Sequence, residues 1–307
     1  MRWAQMEYLT EYHHPELRDP VLLVAFAGWN DAAEVATSSV RYLIRRWNAE
    51  LCAEVDPEEF FVFTETRPQV RIVDSIQRRI IWPQTQFFAA QLPDCSRDAL
   101  ILLGSEPQIH WKAFTKLVLD YAAAYNVSVV LALGGLVADV LHSRPPVLTG
   151  SISDPSLARR LAGLGLKRSG YEGPTGIVGI LGTACRERGW VNGSIWGNVP
   201  HYVASTVNPV VSVAILRRVG ELLDVPIDLA EMERTATRFN AQVEDAIAND
   251  AEIASYVRQL EDREKFSDVE VPPDPEPGSA PVELPNPETV VQELEEFFRR
   301  RQRQQDE

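Results

Sequence analysis

VLLVAFAGWNDAAEVATSSVRYL, residues 21–43, is the stretch whose reading decides the architecture. It opens on an unbroken apolar run, Val21 to Ala27, too short for a core helix and rich in strand formers. That combination predicts a strand buried on both faces. Gly28 interrupts the run with a residue tolerant of any backbone turn. Asp31 and Glu34 then stand three apart ahead of a helical pattern through Val35, Ser39, Tyr42 and Leu43. Asp-x-x-Glu at that place predicts a reciprocal cap, with Asp31 accepting from orphan amides and Glu34 reaching back. Strand, glycine turn and capped helix form the first half of a βαβ unit.

Two later segments repeat the theme. Ala99 to Leu103 is a second apolar run, ended by Gly104 and followed by a helix over His110 to Tyr125, with Trp111, Phe114, Leu117, Val118 and Tyr121 on one face. Val127 to Leu133 is a third, ended by Gly134-Gly135. The repetition predicts a three-layer α/β/α fold with a largely parallel mixed sheet. Around these units, residues 1–20 read as an arm or edge strand. The region from Leu51 to Leu92, with FFVFTETRP, VRIVDSI and RRIIWPQTQFF, reads as short, partly antiparallel strands or hairpins.

Further on, a strand is expected over Thr149 to Ser153, a short helix over Pro155 to Leu164, a helix over Ile177 to Arg188 and a strand over Val191 to Trp196. A helix opened by Pro209 is expected through Leu223. From Asp228 to about Arg263 one long helix is expected. Its seam of Leu229, Met232, Ala236, Phe239, Val243, Ala246, Ile253, Val257 and Leu260 is interrupted only by Asp250. The domain plan is thus an α/β core over 1–227 and a long helix over 228–265, packing on the core or on a neighbouring subunit. A proline-rich acidic linker over 266–287 and an amphipathic C-terminal helix over 288–307 complete it.

Composition narrows the functional classes. The chain of 307 residues is 45% hydrophobic, enough for a sizeable core, and its net charge is −14. That charge disfavours nucleic acid and anionic membrane surfaces as partners. Cys52, Cys95 and Cys185 are odd in number and far apart, with no Cys-x-x-Cys, so neither a disulfide framework nor a structural zinc site is expected. No apolar run reaches membrane-spanning length and the first residues lack a signal-peptide core, so a cytoplasmic setting is expected. Asn192-Gly193-Ser194 is then read as a tight turn rather than a glycosylation site.

Catalytic motifs are sparse. Gly-x-Ser-x-Gly, the Walker A loop and a Gly-x-Gly-x-x-Gly after a strand are all missing, and the five histidines show no metal-ligand spacing. No metal and no cofactor is expected. Polar residues do gather where the predicted strands end, the edge at which open parallel sheets bind ligands. They are Trp29, Asn30 and Asp31; Glu106 with Trp111; Asp139, His142 and Arg144; and Thr175 with the later His201. Asp31 serves an anion-free helix start as a cap. Glu106 is a general base or a solvated loop carboxylate. Asp139, His142 and Arg144 orient an imidazole, clamp a carboxylate, or form the loop-holding ion pair preferred here. Thr175 is a nucleophile or, preferably, a helix cap. Cys185 reads as a buried small hydrophobe.

AFAGWNDAAEVA (25–36), LLGSEPQIHWKAF (102–114), LGGLVADVLHSRPP (133–146), GPTGIVGIL (173–181) and SIWGNVPHYV with Asn208-Pro209 together resemble the PAC2 family, proteasome assembly chaperone 2-like proteins, and its actinobacterial branch in particular. The resemblance implies a core similar to purine nucleoside phosphorylases with a helical C-terminal extension, and an oligomeric protein. It also implies proteasome subunits as partners, since characterised eukaryotic and archaeal relatives assist α-subunit assembly. Chaperone relatives can end in hydrophobic-Tyr-x, whereas this chain ends Gln304-Gln305-Asp306-Glu307, so docking by such a tail is not expected.

Two functions follow. One is an interaction protein, a proteasome-assembly-chaperone-like factor or scaffold working as a homo-oligomer with a proteasome subunit or other protein partner. The other is a small-molecule enzyme, a hydrolase or nucleoside-type transferase. The second requires the polar strand-end residues to converge on one concave pocket.

Overall fold

Alternate residues of the run at 21–27 feed two different cores, which is why the run has no polar side. Val21, Leu23 and Ala25 point into one cluster and Leu22, Val24 and Phe26 into another. Ala99 and Ile101 against Leu100 and Leu102, and Leu131 and Leu133 against Val130 and Ala132, divide in the same way. With period-two side chains, a strand covered on both faces must be apolar throughout.

A computed structural model describes residues 6–73, 77–168 and 173–267. In chain order the elements are β1 (Leu9–Glu11), β2 (Val21–Ala27), α1 (Val35–Arg46), β3 (Glu50–Val55), β4 (Gln69–Val73), β5 (Gln77–Ile81), β6 (Thr85–Ala90) and β7 (Ala99–Ser105). Then come α2 (Trp111–Ala124), β8 (Val129–Ala138), β9 (Leu148–Ile152), α3 (Pro155–Gly163), β10 (Lys167–Arg168), α4 (Ile177–Glu187) and β11 (Val191–Pro200). Finally α5 (Pro209–Leu223), α6 (Ala230–Asn249) and α7 (Ala251–Ser267) close the described part. The segment beyond residue 267, with most of the expected linker and the whole expected C-terminal helix, lies outside the described residues.

Among the described residues one sheet has nine strands in the order β1-β3-β6-β7-β2-β8-β11-β9-β10. The three glycine-punctuated strands are neighbours: β2 pairs with β7 and with β8, parallel in both cases, and β8 pairs parallel with β11. The flanks turn antiparallel at β7–β6, β6–β3, β3–β1 and β11–β9. The first core packs the sheet against α1 and α5, the second against α2 and α4. This is the expected α/β/α arrangement, with a mixed sheet whose four central strands β7, β2, β8 and β11 are parallel.

Several local expectations are corrected. Gly104, Gly134 and Gly135 do not end their strands but lie within them. Gly104 faces Thr85 and Phe26, and Gly134 faces Trp196, whose ring occupies the space a side chain would need. Asn192-Gly193-Ser194 is not a turn but the interior of β11, paired on both sides, with Gly193 against the Ile152 side chain. The reciprocal cap does not form. Ala33 and Glu34 take left-handed backbone, α1 starts only at Val35, and Glu34 pairs outward with Arg41. Asp31 does accept orphan amides, but those of Ala36 and Thr37.

The long helix is two. Asp250 is extended (φ −130°, ψ 116°), and its carboxylate then accepts from the amide of Ile253 to open α7. An aspartate that competes with backbone partners favours such a cap over a helix interior. The seam is satisfied within the chain. Met232 joins the first core, while Phe239, Val243, Ala246, Ile253, Tyr256, Val257 and Leu260 form a third cluster on Leu141, Tyr202 and Val203.

Candidate interaction site

The carboxyl ends of β2, β7, β8 and β11 share one edge, because these four strands run parallel. The ten candidate residues sit along that edge and sort into a structural anchor and two separate groups.

Asp31 is the anchor. It is 8% exposed, and its carboxylate accepts from the Ala36 amide at 2.7 Å, the Thr37 amide at 3.2 Å and the Thr37 hydroxyl at 2.5 Å. Burial pushes its pKa up, and the three donors oppose that rise. Asp31 also bridges to Gly135, and the Gly135 amide donates to Asn30 O at 2.8 Å, so the segment after β2 is tied to β8.

The first group surrounds Glu106. Its Oε1 accepts from Asn30 Nδ2 at 2.8 Å and from the Ile177 amide at 2.8 Å. The cap of α4 is therefore Glu106, not Thr175, whose hydroxyl makes no capping bond. The carboxylate reaches that helix end because residue 176 is glycine: a Cβ there would stand 2.7 Å from Oε1. An anion at a helix N-terminus is well placed against the macrodipole. Trp29, Glu65, Thr66, Gln108 and Trp111 line an open cleft of about 550 Å³ beside Glu106. Trp111 is fixed by its Nε1 donating to Pro107 O at 2.6 Å, whereas Trp29 is 61% exposed.

The second group lies beyond the ends of β8 and β11. His142 makes two 2.8 Å hydrogen bonds with the Tyr202 hydroxyl, one from its backbone amide and one through Nδ1. His201 is bonded through Nε2 to the Tyr256 hydroxyl of α7, while its Nδ1 faces Asp139 Oδ1 at 3.5 Å, an ion-pair distance without hydrogen-bond geometry. Burial lowers the pKa of both imidazoles. Glu244 and Glu261 oppose this at His142, and Asp139 does so at His201. His142 and Arg144 also line a narrow crevice with Asn198 and Asn208. Asp139 thus faces His201 rather than His142; His201 ties α7 to the core through Tyr256, and His142 ties its own loop to Tyr202.

The ten residues do not share one pocket: Asp31 is spent on α1, Glu106 opens α4, and His142 and His201 bind tyrosines. Cys185 is fully buried in α4, and burial pushes its thiol up to about 11. Among the described residues no group of His, Cys, Asp and Glu has metal-site geometry, and no helix is long and apolar enough to cross a membrane.

Sequence reasoning left several participants without a role. Tyr256 carries no motif, and Tyr202, though inside SIWGNVPHYV, carries no sign of the histidines it meets. The hairpin β4–β5 was legible as a hairpin, but not as one that stands apart from the main sheet with Val70, Ile72 and Ile80 at 55%, 68% and 47% exposure. The strand-end edge also carries exposed Leu136, Val137 and Val207 beside Trp29's segment.

The fold and site together define a three-layer α/β/α protein whose strand ends carry helix-capping carboxylates and exposed apolar side chains. The comparisons place it further. The PAC2 family profile matches residues 25–247, and the chain belongs to that family. The proteasome-assembly chaperone homologue of Mycobacterium tuberculosis is 36% identical, with a TM-score of 0.70 over 77% of this chain and 99% of that one. A PAC2 family protein of Streptomyces avermitilis is 38% identical, with a TM-score of 0.69 over 78% and 100%. The archaeal proteasome activator PbaB of Pyrococcus furiosus, 18% identical with a TM-score of 0.63 over 77% and 97%, shares the fold. Among curated proteins none gives a significant match.

Proposed function

We propose that the protein is an interaction protein that assists assembly of a proteasome-like particle and works as a homo-oligomer in the cytoplasm. The observation that carries this reading is its likeness to the mycobacterial proteasome-assembly chaperone homologue over nearly all of that chain. The surface is consistent with it. Trp29, Leu136, Val137 and Val207 are large apolar side chains exposed at or near the strand ends, and such side chains suit contact with a partner. Of the polar residues there, Asp31, Glu106 and His201 each hold a helix.

The hairpin supports self-association. Two strands alone are marginal in water, and Val70, Ile72 and Ile80 share one of its faces by register. Arg71, Arg78 and Arg79 accompany them, in a chain whose net charge of −14 offers acidic surface on a second copy. The test mixes the purified full chain with a purified proteasome α-type subunit from the same source and follows size-exclusion chromatography with native mass spectrometry. A defined complex, or faster formation of the ring, is expected. Absence of both at micromolar concentrations would overturn the reading.

A further inference from the structure

Two indoles and two carboxylates face one cleft. Trp29 and Trp111 stand with Glu65 and Glu106 beside the ends of β2 and β7. Only half of Glu106 is occupied: Oε1 holds Asn30 and the start of α4, and Oε2 accepts no hydrogen bond among the described residues. That oxygen lies 3.7 Å from where a Cβ on Gly28 would stand, and Gly28 takes φ +125°, a backbone conformation that favours glycine, beside the carboxylate. The Glu65 carboxylate likewise has no hydrogen bond or ion pair among the described residues. Two carboxylates alone would be a solvated acidic face. The indoles are the independent feature, one pinned by Pro107 and the other solvent-facing beside it.

The ligand follows from elimination. An anion would meet two carboxylates at close range. A neutral apolar group would bury them without partners. A cation satisfies both walls, since an ammonium or guanidinium is attracted to an indole face and donates to a carboxylate. Guanidinium suits the pair better, because its planar fork stacks on an aromatic ring while its edge N–H groups reach a carboxylate oxygen. We propose that this cleft receives an arginine side chain of the protein partner, with the guanidinium against Trp29 and Trp111 and bonded to Glu106 Oε2 and Glu65. The source of the arginine rests on the interaction-protein reading; the chemistry of the cleft does not.

The experiment titrates the full chain, labelled at its indole nitrogens, with Nα-acetyl-arginine methylamide and follows the Trp29 and Trp111 signals by NMR. The lysine and glutamate analogues are run alongside. Glu106→Gln is the informative variant: its amide oxygen can still accept from Asn30 and Ile177, so α4 stays capped while the charge is lost. Trp29→Ala removes an exposed ring, and circular dichroism checks that both variants fold. Saturable movement of both signals is expected at millimolar arginine, weaker with lysine and absent with glutamate, and reduced about fivefold or more in each variant. No saturable movement up to about 50 mM arginine, equal movement with glutamate, or unchanged binding in Glu106→Gln would overturn the proposal. Saturable arginine binding upholds the cleft even where no complex with an α-type subunit forms, so the two readings fail separately.

Discussion

Gly135→Ala is expected to destabilise the fold by about 2–4 kcal/mol, and the number comes from what surrounds the missing side chain. A Cβ at 135 would stand 2.8 Å from Ala32 O, 3.0 Å from Ala32 N and 2.5 Å from Val35 Cγ2. Two of those atoms are backbone, in a turn closed by the Glu34 amide donating to Asp31 O at 3.1 Å, and the third belongs to a fully buried residue. None is the free end of a flexible chain. Overpacking of this kind costs about 1–3 kcal/mol. If β8 shifts to relieve it, the Gly135 amide loses Asn30 O, for about 1 kcal/mol more. Equilibrium urea unfolding at 25 °C, followed by tryptophan fluorescence, would read this as a lower midpoint with an unchanged slope. Gly163→Ala is the matched control: nothing lies within 4 Å of its Cβ position, at the last residue of α3. That substitution should be neutral or stabilise by up to about 1 kcal/mol. Were Gly135→Ala to unfold within about 0.5 kcal/mol of the parent, or Gly163→Ala to fall as far, the close approach of the α1 leader to β8 would be refuted.

Other outcomes follow from the same reasoning. Asp98 is 1% exposed and accepts from the Arg18 amide at 2.7 Å, Arg18 Nη2 at 3.0 Å and the Leu92 amide at 2.8 Å. Burial alone would raise its pKa, but these donors outweigh it and hold it below 3.8. The stability it contributes is therefore complete above that value and lost as pH falls through the folded-state pKa. Asp98→Asn should cost about 2–3 kcal/mol at pH 7, and the difference from the parent should shrink below pH 3.8, read by urea midpoints across pH. His142 and His201 act near neutrality. Burial holds both below 6.5, so the unfolded chain takes up their protons first and stability falls as pH drops through 6.5, by at most about 1.4 kcal/mol per pH unit for each. Replacing both with asparagine should flatten that slope in thermal melts; an unchanged slope would remove the histidines from the account. Ile72→Asp with Ile80→Asp should move the light-scattering mass toward a single protomer while shifting the urea midpoint by no more than about 0.5 kcal/mol equivalent. A mass that stays put would take the hairpin out of the self-contact.

The residues that betrayed themselves in sequence were those whose surroundings are periodic. Val21–Ala27 had to be apolar on both sides, α5 opened on Pro209, and the α6–α7 seam kept its rhythm up to Asp250. What escaped were partnerships across long separations. Nothing local to Glu106 says that it will open a helix 71 residues later, and nothing near Gly134 announces the Trp196 ring. The glycines looked like punctuation because glycine is common in turns. Here they make room for backbones and rings to approach. Strand polarity alone drew the candidate residues to the carboxyl edge of the sheet, but their division into two groups depends on side-chain contacts that spacing does not encode.

The main sheet ends on one side with the three residues of β1 and on the other with the two of β10, Lys167 and Arg168. Borders this short and this polar offer no run of unmet amides and carbonyls for a foreign strand to copy. Growth of this sheet by strand addition, the route to fibrils and to many peptide complexes, is thereby disfavoured at both margins among the described residues. Among the described residues, contact with other molecules is left to loops, helix flanks and the separate ribbon of β4 and β5.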